Sequence, residues 1–300
     1  MKRVAFAAAV ALTLVSKDAR ADQEKTVQWN DAWPRARWWE VVNVFALTGG
    51  SALINQAPAQ PEANWKGPIL LDAPARRLFR ATTFIGQKRA AVLSDYLYRG
   101  MVVTPYVVDN FIAALGVHQN ADVALQMTLI DMQSLGLSGV ITLGLQHMIG
   151  RQRPYVSGCK TADGTDDAGF SYCGGADDFK SFWSGHTAAM FTMAGLTCVH
   201  HQHLPLYGGG APDALACAVM TGLAGVGSVM RVVSDRHWLS DVLFGGALGM
   251  FNGYVVPLLL HYGVGWNRPA IPTTLQTSFG RVVPVPQVYE GGAGLGFSVF

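Results

Sequence analysis

Two arginines at a helix end belong to the first of three short segments whose side chains could act on an anion. The segment reads QHMIGRQRP over residues 146–154, and Pro154 ends the helix that precedes it. The guanidinium groups of Arg151 and Arg153 suit bidentate binding of a phosphate or a carboxylate. Alone this segment indicates little, because an arginine pair at a helix end is usually a solvated face.

The second segment is Ser184-Gly185-His186, which is followed by an apolar run. Ser184 suits the N-cap position of a helix, and Gly185 lets an anion approach the backbone. Unpaired N–H groups and the helix dipole attract negative charge to such a helix start. His186 would then lie beside the anion, where it could donate a proton. The competing interpretation is an ordinary capped helix with a surface histidine.

The third segment contains Arg231, His237 and Asp241. His237 and Asp241 are four residues apart, so on a helix they would share one face. A carboxylate bonded to one imidazole nitrogen fixes the tautomer and leaves the other nitrogen available as a nucleophile. A structural His–Asp pair is the alternative, but it leaves the arginine six residues upstream unexplained.

The three segments together supply arginines, an anion-binding helix start and two histidines with distinct roles. Attack on a phosphoryl group requires stabilisation of charge, a nucleophile and a general acid. We therefore expect the three segments to meet at one phosphate-binding site.

The order and spacing of these segments resemble the signature of the type 2 phosphatidic acid phosphatase and haloperoxidase superfamily. That signature is K-x-x-x-x-x-x-R-P, then P-S-G-H, then S-R-x-x-x-x-x-H-x-x-x-D. The resemblance extends over roughly residues 100–262, and three positions depart from it: Gln146 replaces Lys, Trp183 replaces Pro and Met230 replaces Ser. The matching positions are Arg153, Ser184, Gly185, His186, Arg231, His237 and Asp241.

The resemblance implies a role for each matching residue. His237 would attack phosphorus while Asp241 orients it, and His186 would protonate the leaving alkoxide and then activate water. The phosphate oxygens would be held by Arg153, Arg231 and the backbone of Ser184 and Gly185. Gln146 offers a neutral amide in place of the family's lysine, and Arg151, about one helical turn away, could supply the missing charge. The family's phosphatases use no metal, so no cofactor is expected.

The resemblance implies a metal-independent phosphatase that hydrolyses phosphate monoesters, with lipid phosphates and pyrophosphates among the candidate substrates. Two alternatives remain open. A vanadate-dependent haloperoxidase would hold vanadate in the same pocket, and a catalytically weak relative would only bind phospholipid. His200, His201 and His203 lie near Cys198, but they lack fixed ligand spacing, so we predict no metal site there.

Apolar, helix-compatible stretches dominate the chain and predict an all-α fold, with a short irregular or β-like C-terminal tail that could form a hairpin. The resemblance implies that the helices form a bundle of the phosphatidic acid phosphatase/haloperoxidase type. The predicted organisation is a signal peptide (1–21), an N-terminal leader with the first helix (22–75), a catalytic helical bundle (76–265) and the tail (266–300). The helix-compatible stretches are 38–54, 78–98, 101–117, 122–149, 184–202, 211–230 and 237–262.

The N-terminus predicts export. A basic start, a short apolar run and Ala19-Arg20-Ala21 before Asp22 match a secretory signal peptide. Disulfides form in oxidising compartments, and the four cysteines flank two loops in neighbouring pairs. The predicted disulfides are Cys159–Cys173 and Cys198–Cys217.

Membrane attachment is left open by composition. Charged residues make up 14% of the chain and the mean hydropathy is +0.23, between the values of soluble and polytopic proteins. Acidic residues within the apolar stretches argue against membrane crossing, because charges inside a membrane are costly. We therefore expect a periplasmic bundle, with membrane association possible, that binds a phosphorylated small molecule or lipid head group. The net charge of +2 gives no basic excess that would indicate nucleic acid.

Overall fold

A computed structural model describes residues 27–58, 60–159 and 173–263, and the backbone of three strands between residues 275 and 299. The predicted signal peptide lies outside the described residues. The all-α prediction is confirmed, because seven α-helices form the described bundle. They are α1 (Trp38–Asn55), α2 (Asp72–Phe79), α3 (Phe84–Thr104), α4 (Ala121–Ile149), α5 (Gly185–His203), α6 (Ala211–Val233) and α7 (Leu239–Met250).

Local sequence explains where several helices begin and end. The side chains of Thr83, Asn120 and Ser184 cap α3, α4 and α5 by accepting a backbone N–H from the first turn. Gly150 ends α4 in the left-handed conformation, with φ of 57°, which glycine adopts at little cost. A short 3₁₀ turn, Pro154–Gly158, follows the first predicted segment.

Two predicted helices are in fact one continuous helix. Stretches 78–98 and 101–117 were expected to be separate, but α3 runs directly into a π-helical segment, Pro105–Val117. A proline has no N–H for the α-helical ladder, and a wider helical turn is one way for the chain to continue past it. Two shorter π-helical segments, Phe251–Val255 and Leu258–Tyr262, extend α7 in the same way.

The leader is part of the bundle. The proposed division at residue 75 falls inside α2, and α1 packs along α4. Residues 27–75 therefore pack with the catalytic helices and contribute side chains to their interior.

Helix α5 is the central helix, and the close approach of α7 to it positions the second and third segments. A methyl group at Gly249 would lie 2.2 Å from the carbonyl oxygen of Ala188, and one at Gly253 would lie 1.9 Å from that of Thr192. Only glycine permits this spacing. The start of α5 consequently lies against the start of α7, where the Ser184 N–H donates to the Asp241 carbonyl at 3.1 Å.

Four described helical stretches are long and apolar enough to cross a membrane: Phe84–Val117, Ala121–Ile149, Ala211–Val233 and Leu239–Tyr262. Large apolar side chains also face outward along the bundle, among them Phe45, Phe111 and Leu215, which are 73%, 68% and 62% exposed. Exposed apolar surface of this extent is typical of a membrane-facing protein. These features support membrane association.

The acidic residues that argued against membrane crossing face the bundle interior. Asp131 accepts hydrogen bonds from His200 at 2.8 Å and from Asn110 at 2.8 Å. His201 lies between Asp213, at 2.6 Å from its Nδ1, and Asp109, at 3.4 Å from its Nε2. Inward-facing and paired charges are the arrangement that membrane proteins tolerate. The objection based on these residues is therefore wrong.

Both predicted cysteine pairs are joined. Cys159 and Cys173 have Cα atoms 5.9 Å apart, and Cys198 and Cys217, which connect α5 to α6, have Cα atoms 4.4 Å apart. In the C-terminal tail, β1 (Leu275–Thr277), β2 (Gly280–Tyr289) and β3 (Gly292–Val299) form an antiparallel sheet in the order β1-β2-β3.

Candidate active site

A cavity of about 1010 Å³ opens at the end of the bundle where the three segments meet. Six of the predicted site residues line it: Gln146, Arg153, Gly185, His186, Arg231 and His237. Ser184, Arg151 and Asp241 lie behind this lining, and each is 0% exposed. The lining also includes residues that the sequence analysis missed, among them Asp95, Arg99, Asp177 and Arg236.

His237 is oriented by a backbone carbonyl. Its Nδ1–H donates to the carbonyl oxygen of Ser181 at 2.8 Å, and the residue is 2% exposed. A proton on Nδ1 leaves the lone pair on Nε2, so Nε2 is the nitrogen available for attack. This is the tautomer expected of a nucleophile, but its partner is not the predicted carboxylate.

Asp241 makes no hydrogen bond to His237, contrary to the expected orienting pair, because the nearest atoms, Asp241 Oδ2 and His237 Nδ1, are 3.7 Å apart. Helix α7 begins at Leu239, so His237 precedes it and the two residues do not share a helical face. Asp241 instead caps α7 by accepting the Trp238 N–H at 2.9 Å, and it accepts the Ser181 hydroxyl at 2.6 Å. Asp241 thus fixes Ser181, whose carbonyl fixes His237.

Arg151 does not face the cavity, so the expectation that it binds phosphate is wrong. Its guanidinium contacts Asp72 at 2.7 Å and also pairs with Asp241, and it lies 4.0 Å from the ring centroid of Trp65. The backbone is extended after Gly150, with Gln152 N–H donating to the Trp65 carbonyl at 2.9 Å. Arg151 and Arg153 are two residues apart in this segment and have different surroundings, because Arg151 is held in the core by Asp72 and Asp241 whereas Arg153 lines the cavity.

Arg153 and Arg231 present unsatisfied guanidinium groups to the cavity. Among the described residues, Nε and Nη1 of Arg153 and Nε of Arg231 have no hydrogen-bond partner, although both side chains are buried. Burial is the main cause that lowers the pKa of Arg153. An oxyanion between the two guanidinium groups would satisfy these N–H donors.

A carboxylate that the sequence analysis missed connects the second and third segments. Oδ1 of Asp95 on α3 lies 3.0 Å from His186 Nε2 and 3.0 Å from Arg231 Nη1. The contact places a proton on His186 Nε2, as a general acid requires. Asp95 is a charged residue within an otherwise apolar stretch, and a charge in such a place was the available signal.

Gln146 lines the cavity, and one of its two amide N–H donors is already used. Gln146 Nε2 donates to the Trp183 carbonyl at 2.7 Å and so holds the backbone just before Ser184. A methyl group at Gly185 would lie 3.3 Å from Thr142 and 3.8 Å from Gln146 Nε2. Glycine thus keeps the helix start open beside Gln146.

The pH profile offers the first prediction. Burial, followed by the charges of Arg153 and Arg231, holds the pKa of His237 well below 6.5, so the nucleophile stays neutral into the acid range. We expect the acid limb of kcat/KM to lie below pH 6.5. Replacing Arg153 with glutamine removes a positive charge, makes protonation of His237 easier and raises its pKa.

The acid limb of Arg153→Gln should therefore move to higher pH, measured from kcat/KM between pH 4 and 9 with the Arg77→Gln variant as control. Arg77 is an exposed arginine of α2 outside the cavity. An acid limb that shifts to lower pH in Arg153→Gln would contradict the assignment.

Comparison with known proteins agrees with the motifs. The family model described as the PAP2 superfamily matches residues 129–264. This match includes all three motif segments and supports phosphatase activity. Comparison with curated proteins finds no match.

Two solved structures are similar to this chain. The first is described as the first transmembrane PAP2 type phosphatidylglycerolphosphate phosphatase from Bacillus subtilis, with 16% identity, a TM-score of 0.43, and coverage of 73% of this chain and 94% of that one. The second is LpxE from Aquifex aeolicus, with 17% identity, a TM-score of 0.38, and coverage of 63% of this chain and 96% of that one.

Proposed function

We propose that this protein hydrolyses phosphate monoesters through a phosphohistidine intermediate on His237. The observation that carries the proposal is the pair of buried arginines with unpaired N–H groups beside the Nε2 of a buried, neutral histidine. Charge stabilisation and a nucleophile are thereby placed at the same end of one cavity.

The first chemical step forms a bond between His237 Nε2 and phosphorus and breaks the ester P–O bond. Arg153, Arg231 and the backbone N–H groups at the start of α5 stabilise the phosphoryl oxygens. The Nε2–H of His186 passes to the leaving oxygen, so that an alcohol departs instead of an alkoxide. Asp95 contacts both Arg231 and His186 before substrate binds, so the substrate displaces this carboxylate from both groups.

The second step returns the enzyme to its starting state. His186, now neutral, accepts a proton from water as the water oxygen attacks phosphorus and the P–N bond breaks. Inorganic phosphate leaves, and His237 recovers its lone pair. We propose that no metal or other cofactor takes part, since arginines supply the positive charge at this site.

The shape of the cavity favours an elongated substrate such as a lipid phosphate. From Thr128 to Gln146 its lining follows α4 for about 27 Å at the helical rise per residue. Thr48 and Ser51 of α1 line the same arm, together with apolar residues such as Leu135. We propose that the alcohol portion of the substrate lies in this arm. We also propose that the catalytic end of the exported protein faces an oxidising compartment, where the Cys159–Cys173 disulfide would form.

A substrate and inhibitor panel on purified full-length protein in detergent tests this function. We expect turnover of p-nitrophenyl phosphate and of a lipid phosphate, no loss of activity in excess EDTA, and inhibition by vanadate. Halide oxidation after addition of vanadate would instead identify a haloperoxidase. Loss of turnover in EDTA that a particular metal restores would exclude the metal-independent mechanism.

A further inference from the structure

The phosphate end of the cavity contains less positive charge than its two motif arginines suggest. Asp95 lies 3.0 Å from Arg231, and Asp177 Oδ2 lies 4.0 Å from Nη2 of Arg153. Each guanidinium group thus has one carboxylate nearby, whereas a phosphate monoester carries between one and two negative charges near neutral pH. A further cation would strengthen the attraction for this anion.

The first segment does not supply this cation. Gln146 is neutral and its amide donates to Trp183, and Arg151 is in the core with Asp72 and Asp241. Two further arginines line the cavity: Arg99, which is exposed, and Arg236, which is half-buried.

Arg236 lines the cavity directly beside His237. Its guanidinium lies 5.7 Å from the ring centroid of Tyr155, a contact that restricts its position. Burial is the main cause that lowers the pKa of Arg153, and the charge of Arg236 acts in the same direction. Arg153 and Arg236 both line this cavity, and their positive charges act on each other.

The backbone that carries Arg236 is anchored on both sides. Asp235 adopts a left-handed conformation with φ of 59°, and its buried carboxylate binds Arg76 through two hydrogen bonds of 2.7 and 2.6 Å. The N–H groups of Arg236 and His237 both donate to the Arg231 carbonyl, at 3.1 and 3.2 Å. The loop therefore fixes Arg236, the nucleophile and Arg231 relative to one another.

We propose that Arg236 is a third phosphate-binding guanidinium, which supplies the positive charge that Gln146 cannot. The inference rests on the proposed phosphatase function for its catalytic consequence, but it also makes a statement about anion binding that holds without turnover. Arg236 acts on the transferred phosphoryl group itself, whatever alcohol is attached to it.

The test compares Arg236→Gln, Arg236→Lys and the matched control Arg77→Gln. Arg77 is an exposed arginine of α2 that does not line the cavity. We expect Arg236→Gln to lower kcat/KM on p-nitrophenyl phosphate about 10- to 100-fold, the loss for one charge-assisted hydrogen bond, and Arg236→Lys to lose less. Binding of inorganic phosphate and of vanadate, measured by calorimetry, should weaken in the same order.

A double variant locates the charge. Adding Gln146→Lys to Arg236→Gln should restore part of the lost phosphate affinity, because a lysine at 146 would reach the same anion. Unchanged phosphate and vanadate binding in Arg236→Gln would overturn the proposal, as would a loss confined to lipid or pyrophosphate substrates, which would place Arg236 at a remote group. If the wild-type protein binds phosphate but hydrolyses no ester, the proposed function fails while the binding data still decide the role of Arg236.

Discussion

Replacing His237 with alanine is expected to lower kcat by at least about 10⁴-fold, the scale of loss when a covalent nucleophile is removed. The Nε2 lone pair of His237 lies at the arginine-lined end of the cavity. The hydrogen bond from Nδ1–H to the Ser181 carbonyl fixes the tautomer in which Nε2 carries no proton. Phosphate trapped on the wild-type protein by an alkaline quench during turnover should be acid-labile, and it should be absent from His237→Ala.

His186→Ala provides a contrast within the same site. The p-nitrophenolate leaving group needs no proton, so phosphorylation of His237 should continue in this variant. Water activation is lost, so the phosphohistidine should accumulate to a higher level than in the wild type. The control is His118→Ala, because His118 lies at the opposite end of the bundle and bonds the Leu206 carbonyl at 3.0 Å.

Acid-labile phosphate that persists in His237→Ala would exclude His237 as the nucleophile.

The sequence predicted which residues belong to the site better than it predicted where their side chains point. Arg151 and Arg153 look equivalent in the letters GRQRP of residues 150–154, because residue types alone do not show which side chain enters the core. The left-handed Gly150 ends α4, and the two arginines after it have different partners, since Arg151 pairs with Asp72 and Asp241 in the core and Arg153 lines the cavity. Strand-like alternation would place residues two positions apart on the same face, so no local pattern separates the two arginines.

The His237–Asp241 pair shows a similar limit. A spacing of four residues predicts contact only if both residues lie on the same helix, and α7 starts between them. Ser181, which bonds both residues, lies more than fifty positions away in the sequence. No local pattern identifies such a bridging residue, because the contact depends on how α5 and α7 pack.

The bundle itself was predictable because helical periodicity and capping are local. The pairing of the buried acidic residues was not predictable, because Asp131 and His200 lie on different helices and meet only after folding. Counting such residues as isolated charges made the helices look too polar for a membrane. Arg236, which precedes His237 in the chain, was visible in the sequence. The direction of the Arg236 side chain, however, depends on the ion pair between Asp235 and Arg76.

Glutamine substitutions at the two neighbouring arginines should have opposite consequences. Arg151 is 0% exposed and bridges Asp72 and Asp241, so Arg151→Gln leaves two buried carboxylates without a counter-charge. Breaking a buried ion pair in this way costs about 3–5 kcal/mol of unfolding free energy. We expect a clear fall in thermal unfolding temperature in detergent, with activity lost in proportion to the unfolded fraction.

Arg153→Gln should instead leave stability unchanged or slightly improved, because it removes a buried guanidinium with two unpaired N–H groups. Its kcat/KM should fall about 10- to 100-fold at temperatures where the variant is fully folded, since a charge-assisted hydrogen bond to the phosphoryl group is lost. Thermal unfolding and initial rates on the same preparations distinguish the two roles. A folded, stable Arg151→Gln variant with the larger loss of activity would show that Arg151 turns toward the phosphate and that the extended segment after Gly150 is wrongly placed.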